Sequence, residues 1–275
     1  MVLLICSPTI NNPRLLFEGY FLKANICYNK IMNTVKILQL NAWTGRIQGA
    51  IQNYIKENNP DIICLQEAIW ADDEEIMRRF VVTTDQIKEA SGLQYESRSA
   101  NWEMVLNGNK ISQGNVILSR FKITEERDEY VHGKLFVAKT EEDLSNHCYT
   151  VQILKLENGL NIVNHHGYWI PTPIGDETTV EVNKKVASLI KEVEGPLVMC
   201  GDLNIIYDSP AMRPFDFLTD LTHEYNIDNT LVGLKFNGKV ACDHILINDQ
   251  VKAVDFTVSD RIISDHKPLL ATLEF

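Results

Sequence analysis

The 275-residue sequence predicts an α/β protein in which two sheets pack face to face, and three observations predict it. Short apolar runs typical of half-buried or buried strands recur from Val35 to the C-terminus. Amphipathic helical stripes separate some of those runs. No repeat, low-complexity stretch or linker divides the chain after residue 34, so a single two-sheet sandwich follows.

Residues 1–33 show neither alternation nor a helical stripe. They read as an N-terminal extension, either disordered or an over-extended start with Met32 as the native one, or else a short docking arm. The domain is expected at 34–275. Val35 to Asn41 forms the first strand. Between Gly45 and Asn58, Ile47, Ala50, Ile51, Tyr54 and Ile55 make one apolar helical face, and Asn59-Pro60 ends it. Asp61 to Gln66 reads as a buried strand, and Asp72 to about Ala90 as a second helix with acidic residues in its first turn. The centre switches to strands: Asn115 to Leu118, then Tyr149 to Leu156, whose Glu157-Asn158-Gly159 turn leads into Leu160 to Asn164. Val182, Val186, Leu189, Ile190 and Val193 make Glu177 to Val193 helical, and Gly195-Pro196 stops it. Leu197 to Cys200 is a further buried strand. The tail adds Ala241 to Ile247, Val251 to Val258 and Leu269 to Phe275.

With 45% apolar and 23% charged residues the chain can bury a sizeable core, and no run of 18 apolar residues offers a membrane span. The net charge of −11 opposes the broad basic surface of non-specific nucleic-acid binders. Asn101 to Lys139 carries six basic residues against five acidic ones, and no segment supplies the roughly six to ten clustered cations of a tight duplex binder, so tight duplex binding is not expected. Cys6, Cys27, Cys64, Cys148, Cys200 and Cys242 stand singly, as small core hydrophobes do in a reducing compartment. Met1 to Cys6 lacks the basic start of a secretory signal, so a cytoplasmic location is expected.

Five strands end in polar clusters that are costly to bury unless paired or ligated: Asn41; Gln66-Glu67; Asn164-His165-His166; Asp202 to Asn204; and Ser264-Asp265-His266. Each alone has a plain structural explanation, such as a helix cap or an Asx turn. Alternation puts Val198, Cys200, Asp202 and Asn204 on one face, and Asn164 with His166 opposite His165. The acidic and amide candidates offer oxygen, which suits Mg²⁺ or Mn²⁺ rather than zinc.

Leu40-Asn41-Ala42-Trp43, Leu65-Gln66-Glu67, Asn164-His165-His166, Gly201-Asp202-Leu203-Asn204, Cys242-Asp243-His244-Ile245-Leu246 and Ser264-Asp265-His266-Lys267-Pro268 come in an order that resembles the endonuclease/exonuclease/phosphatase superfamily. Gly114 to Arg120 and Asp208 to Ala211 extend the likeness, which runs from about residue 35 to 275. The resemblance implies a four-layer αββα sandwich with two packed mixed sheets, a site at one edge of the sheets, and Mg²⁺- or Mn²⁺-dependent phosphoester hydrolysis. It implies Glu67 as the metal carboxylate, Asn41 as a ligand or ligand-orienting amide, and Asp265 at the metal's rim or in support. Asp243 would orient His266, the general base or charge partner, while Asp202 would position and deprotonate water. Asn204 and His166 would donate to the phosphate. His165 and His244 read as structural.

Ala68-Ile69 after Glu67, together with His166 where the apurinic-site repair branch has tyrosine, points away from that branch and toward deoxyribonuclease, sphingomyelinase and tyrosyl-DNA phosphodiesterase types. Tyr168 and Trp169 replace the usual local leucine and can stack on a base or ring, or pack the rim. The leading expectation is a monomeric phosphodiesterase acting on short or single-stranded nucleic acid or on nucleotides. The alternative is a phosphatase or phospholipase C-type hydrolase of inositol, sugar or sphingolipid phosphoesters. An inactive binding scaffold would lack a metal or dyad residue, and none is missing.

Overall fold

The computed structural model describes residues 33–140, 143, 148–233 and 239–275. The expected N-terminal extension, with Cys6, Cys27 and Met32, lies outside the described residues apart from Asn33. Among the described residues the strands are β1 (Thr34–Asn41), β2 (Ile62–Ala71), β3 (Tyr95–Leu106), β4 (Asn109–Ser119), β5 (Ile123–His132), β6 (Val137–Ala138), β7 (Tyr149–Leu156), β8 (Asn161–His165), β9 (Leu197–Asp202), β10 (Thr219–Asp220), β11 (Asp243–Ile247), β12 (Lys252–Val258) and β13 (Leu269–Glu274). One sheet has the order β12-β13-β1-β2-β4-β3-β6 and the other β10-β11-β9-β8-β7-β5. Both are mixed. β1 with β2 and β8 with β9 are parallel pairs, flanked by antiparallel β13 and β11.

Alternation along these strands builds the layers. Ile37, Ile62, Cys64 and Ile117 of the first sheet meet Ile162, Val198, Cys200 and Ile245 of the second in one buried core. The opposite faces take the helices. Ile51 and Ile55 of α1 (Ala50–Asn58) and Ile87 of a later helix cover Leu38, Leu40, Ile63 and Leu65. The long helix Glu177–Lys191 places Val182, Val186 and Ile190 on Val163, Leu197 and Met199. Each fully buried Ile, Leu or Val contributes about 1.5–3 kcal/mol, so the four αββα layers hold together by complementary apolar faces.

The single helix expected from Asp72 to Ala90 is two: α2 (Glu74–Met77) and α3 (Thr84–Ser91). Thr83 restarts the helix as an N-cap, exchanging hydrogen bonds with Gln86 in a capping box. Just before it, the Val82 N–H donates to the Gly45 carbonyl at 2.8 Å, which pulls the chain out of helical geometry. The long helix, α4, is capped in the same way by Asp176 and Thr179. A short α5 (Leu221–Glu224) follows β10.

Toward one edge the layer between the sheets turns polar. Following every second residue gives Ile37, Gln39, Asn41; Cys64, Gln66; Ile162, Asn164, His166; and Cys200, Asp202. The buried amides satisfy one another. Gln39 and Gln66 exchange hydrogen bonds of 2.6 and 2.9 Å; Gln66 donates to Asn164 at 2.6 Å, and Asn164 to the Leu65 carbonyl at 2.9 Å. This offsets the cost of burying them and locks the sheets in register at the edge where the polar clusters collect.

Candidate active site

The edge in question lies at the C-terminal ends of the two parallel pairs. Asn41 ends β1, and Asp202 ends β9 directly opposite Asp243, the first residue of β11. Asp265 and His266 precede β13. A cavity of about 450 Å³ opens here, lined by Glu67, His166, Asp202, Asn204, Asp265 and His266 on its polar side. Its other walls are Trp43, Trp169, Ile170, Pro173, Leu231, Val240 and Cys242.

Backbone distortion aims several of these groups. The β2–β4 register shifts between Leu65 and Ala68, and Glu67 on that bulge has φ of 50°. A bulge re-aims a side chain that strict alternation would send elsewhere, and Glu67 thereby reaches the cavity. Trp43, Thr44 and Asn204 also hold φ of 46°, 52° and 58°. Such backbone costs on the order of 1–3 kcal/mol per residue and persists where surrounding contacts impose it.

Asn41 bridges the two sheets. Its Nδ2 donates to Glu67 Oε1 at 3.1 Å and to Asp202 Oδ2 at 2.9 Å, while its Oδ1 accepts from the Trp43 N–H at 3.0 Å. The amide NH₂ is thus turned to the carboxylates, the ligand-orienting arrangement. Asp202 Oδ1 accepts from the Asn204 N–H at 3.0 Å, and Asn204 Nδ2 donates to the Gly167 carbonyl at 2.9 Å. His166 Nε2 stands 3.6 Å and His266 Nε2 3.7 Å from Asp202 Oδ2. On its other side His266 Nδ1 lies 2.8 Å from Asp243 Oδ2, which also accepts from Thr230 Oγ1 at 2.6 Å.

Charge is concentrated here. Burial alone would push Asp202 up, yet the His266 and His166 imidazoles and the Asn41 and Asn204 hydrogen bonds hold it below the ordinary carboxylate value. Burial opposes the charge on His266 too, but the flanking Asp243 and Asp202 carboxylates raise it well above 6.5. The arrangement at neutral pH is an ionised Asp202 facing a cationic His266.

Asp265 and His266 both line the cavity although they are neighbours in sequence, because residues 263–265 form a bend rather than an extended strand. Trp169 reaches the cavity and is 54% exposed. Tyr168 does not: its ring packs at 4.9 and 5.1 Å from those of His132 and Tyr149. His244 is buried, with Nδ1 2.7 Å from Asp220 and Nε2 2.9 Å from the Ile205 carbonyl. Leu231, Val240 and Thr230 were not among the residues the sequence singled out, and Trp43 and Cys242 stood in its motifs without a role assigned to them.

His165 points away from the cavity, its Nδ1 2.9 Å from the Thr150 carbonyl, and burial pushes its pKa down to about 4. The unfolded chain titrates at the ordinary 6.5. Between pH 6.5 and about 4 the unfolded state therefore binds a proton that the native state does not, and stability falls as pH drops through that window. By pH 5 the loss is about 2 kcal/mol. Urea midpoints at pH 7 and pH 5 check this: His165→Gln loses less over that range, and equal losses would place the acid sensitivity elsewhere.

Among the described residues, cation donors stand on the cavity wall in more than one place. Glu67, with Asp265 on the cavity wall and Asn41 orienting the carboxylate, offers the hard oxygen donors that Mg²⁺ and Mn²⁺ favour. One ligand atom from each of Asp202, Cys242, Asp243 and His266 also lies within 4.8 Å of the others.

Residues 38–266 match the Endonuclease/Exonuclease/phosphatase family. No curated protein matches the chain in sequence. Among solved structures, an endonuclease/exonuclease/phosphatase from Beutenbergia cavernae DSM 12333 superposes with a TM-score of 0.64 at 17% identity, covering 88% of this chain and 72% of the other. A mannosyl-6-phosphatase from Bacteroides thetaiotaomicron VPI-5482 gives 0.59 at 17% identity over 88% and 100% of the two chains. The 2',3'-cyclic phosphatase ANGEL2 gives 0.61 at 14% identity over 88% and 95%. Among the described residues no helix is long and apolar enough to cross a membrane. The match spans most of the chain and every polar cluster at the sheet edge, and the protein belongs to the endonuclease/exonuclease/phosphatase family.

Proposed function

We propose that the chain hydrolyses a small phosphoester with the help of a divalent cation, water attacking phosphorus in line with the leaving oxygen. The observation that carries this reading is the placement of Asp202 against both His166 and His266, with Asp243 behind His266 and Glu67 one amide away through Asn41. A cation at Glu67 and Asp265 would polarise a phosphoryl oxygen. Asp202, ionised and within reach of the cavity, accepts the proton of the attacking water. His266 presents positive charge to the phosphoryl group, and Asp243 keeps its Nδ1 occupied so that Nε2 faces the reaction. His166 and the second amide hydrogen of Asn204 stabilise charge as it develops on the phosphoryl oxygens.

The cavity sets the size of the substrate. About 450 Å³ accommodates a small molecule, and among the described residues no lysine or arginine lines it. Nothing in that lining favours a polyphosphate or a long duplex. A nucleotide or the end of a single strand fits, with its base or ring on the exposed face of Trp169. A sugar phosphate is the second reading, favoured by the same compact cavity and by the likeness to a mannosyl-6-phosphatase. Location in the cytoplasm and a monomeric state complete the proposal.

The test is a hydrolysis panel in Mg²⁺ and in Mn²⁺, covering single-stranded and duplex DNA, RNA, cyclic and linear nucleotides, sugar and inositol phosphates, and sphingomyelin. Activity on a compact phosphoester, abolished by chelator and restored by either metal, is the expected result. Full turnover in excess chelator, or a preference for long duplex, would overturn it.

A further inference from the structure

We propose that Asp202, Cys242 and His266 form a binding site for a soft divalent cation, Zn²⁺ above all, and that its occupation arrests hydrolysis. The arrest rests on the function proposed above; the binding does not. Cys242 is buried in the cavity wall beside Asp243, a position the phosphoester reading leaves without a role. Its thiol is out of place among hard oxygen ligands and matches what Zn²⁺, Co²⁺ or Cd²⁺ favours.

The three side chains already stand near one another. Asp202 Oδ2 and His266 Nε2 are 3.7 Å apart, and one ligand atom from each of Asp202, Cys242, Asp243 and His266 lies within 4.8 Å of the others. Tetrahedral zinc, with bonds of about 2.0–2.3 Å, places neighbouring ligand atoms about 3.4–3.7 Å apart. Side-chain shifts of about 1 Å from the 4.8 Å bound bring the three ligands to that spacing, and all three line the same cavity. Asp243 serves as orienter rather than ligand. Its hydrogen bond to Nδ1 at 2.8 Å directs Nε2 of His266 toward Asp202, the carboxylate–imidazole pairing that commonly supports zinc histidines.

Binding releases two protons to solvent, one from the Cys242 thiol and one from His266 Nε2, and the metal takes the freed electron pairs. Until a soft cation arrives, burial and the neighbouring carboxylates keep the thiol protonated. The site then leaves Mg²⁺ chemistry at Glu67 undisturbed. Once bound, the metal occupies the two groups, Asp202 and His266, on which proton transfer and charge stabilisation depend.

The experiment titrates the metal-free full-length chain with Co²⁺, whose bonding to a thiolate gives a charge-transfer absorption in the near ultraviolet. The band is expected in the native chain, displaced by Zn²⁺, lost in Cys242→Ala and Cys242→Ser, and retained in Cys148→Ala and Glu67→Gln. In a second arm, hydrolysis in Mg²⁺ is followed against added Zn²⁺, each variant scaled to its own zinc-free rate. The half-inhibiting zinc concentration rises at least about 10-fold in the Cys242 variants. No band, or a band that survives both Cys242 variants, overturns the site; a Cys242-dependent band without inhibition overturns the arrest. The absorption arm decides binding even if no substrate in the panel is cleaved.

Discussion

Replacing His266 by alanine lowers turnover by about 100-fold or more while leaving the fold in place. The imidazole lines the cavity, so its removal opens no apolar void in the core. Asp243→Ala has a comparable effect, because without the carboxylate 2.8 Å from Nδ1 the ring loses both its orientation and the charge that holds its proton. Since the two act as one unit, the double variant is barely worse than His266→Ala alone. Steady-state kcat for the three variants, read beside their melting temperatures, checks this. Losses that simply multiply would show that Asp243 acts on something other than His266.

Gly167→Ala is expected to damage fold and site together. A Cβ at Gly167 would lie 2.3 Å from the Leu203 carbonyl oxygen and 2.7 Å from Leu203 Cα, and both are backbone. No rotamer change can make room. The Gly167 N–H also donates to the Asp202 carbonyl at 2.7 Å, so the clash forces apart the two segments that carry His166 and Asp202. Overpacking of this kind costs about 3 kcal/mol, which lowers the melting temperature by on the order of 10 °C. Calorimetry and turnover on the same preparation test it. A native-like melting temperature would mean the loop moves freely, and the close approach would then not explain the glycine.

How much of this was legible depended on whether a residue's surroundings were set locally. Strands that bury both faces, such as β7 and β9, read correctly because apolar content alone defines them. β3 and β5 did not. Their sequences, YESRSANWEMVL and ITEERDEYVH, hide the strand signal behind polar side chains, and β5 forms the edge of its sheet. The long helix expected after Asp72 breaks because of a contact between Val82 and Gly45, 37 residues earlier, seen in no local window. At the site, strand-end position was enough to single out Asp202 and His166. Cys242 and Val240 became wall residues only when two distant strands paired. The reach of Tyr168 was decided by His132 and Tyr149, which no spacing rule connects to it.

Asn41 and Glu67 come from one sheet, while His166, Asp202 and Asp243 come from the other. The amide chain of Gln39, Gln66 and Asn164 stitches the two together just beneath them. Neither sheet by itself carries the whole constellation, which exists only where the two sheets are packed together. A substrate or metal that binds the docked form pulls the whole sandwich toward it, so occupancy of a cavity at the rim is felt as stability throughout both sheets.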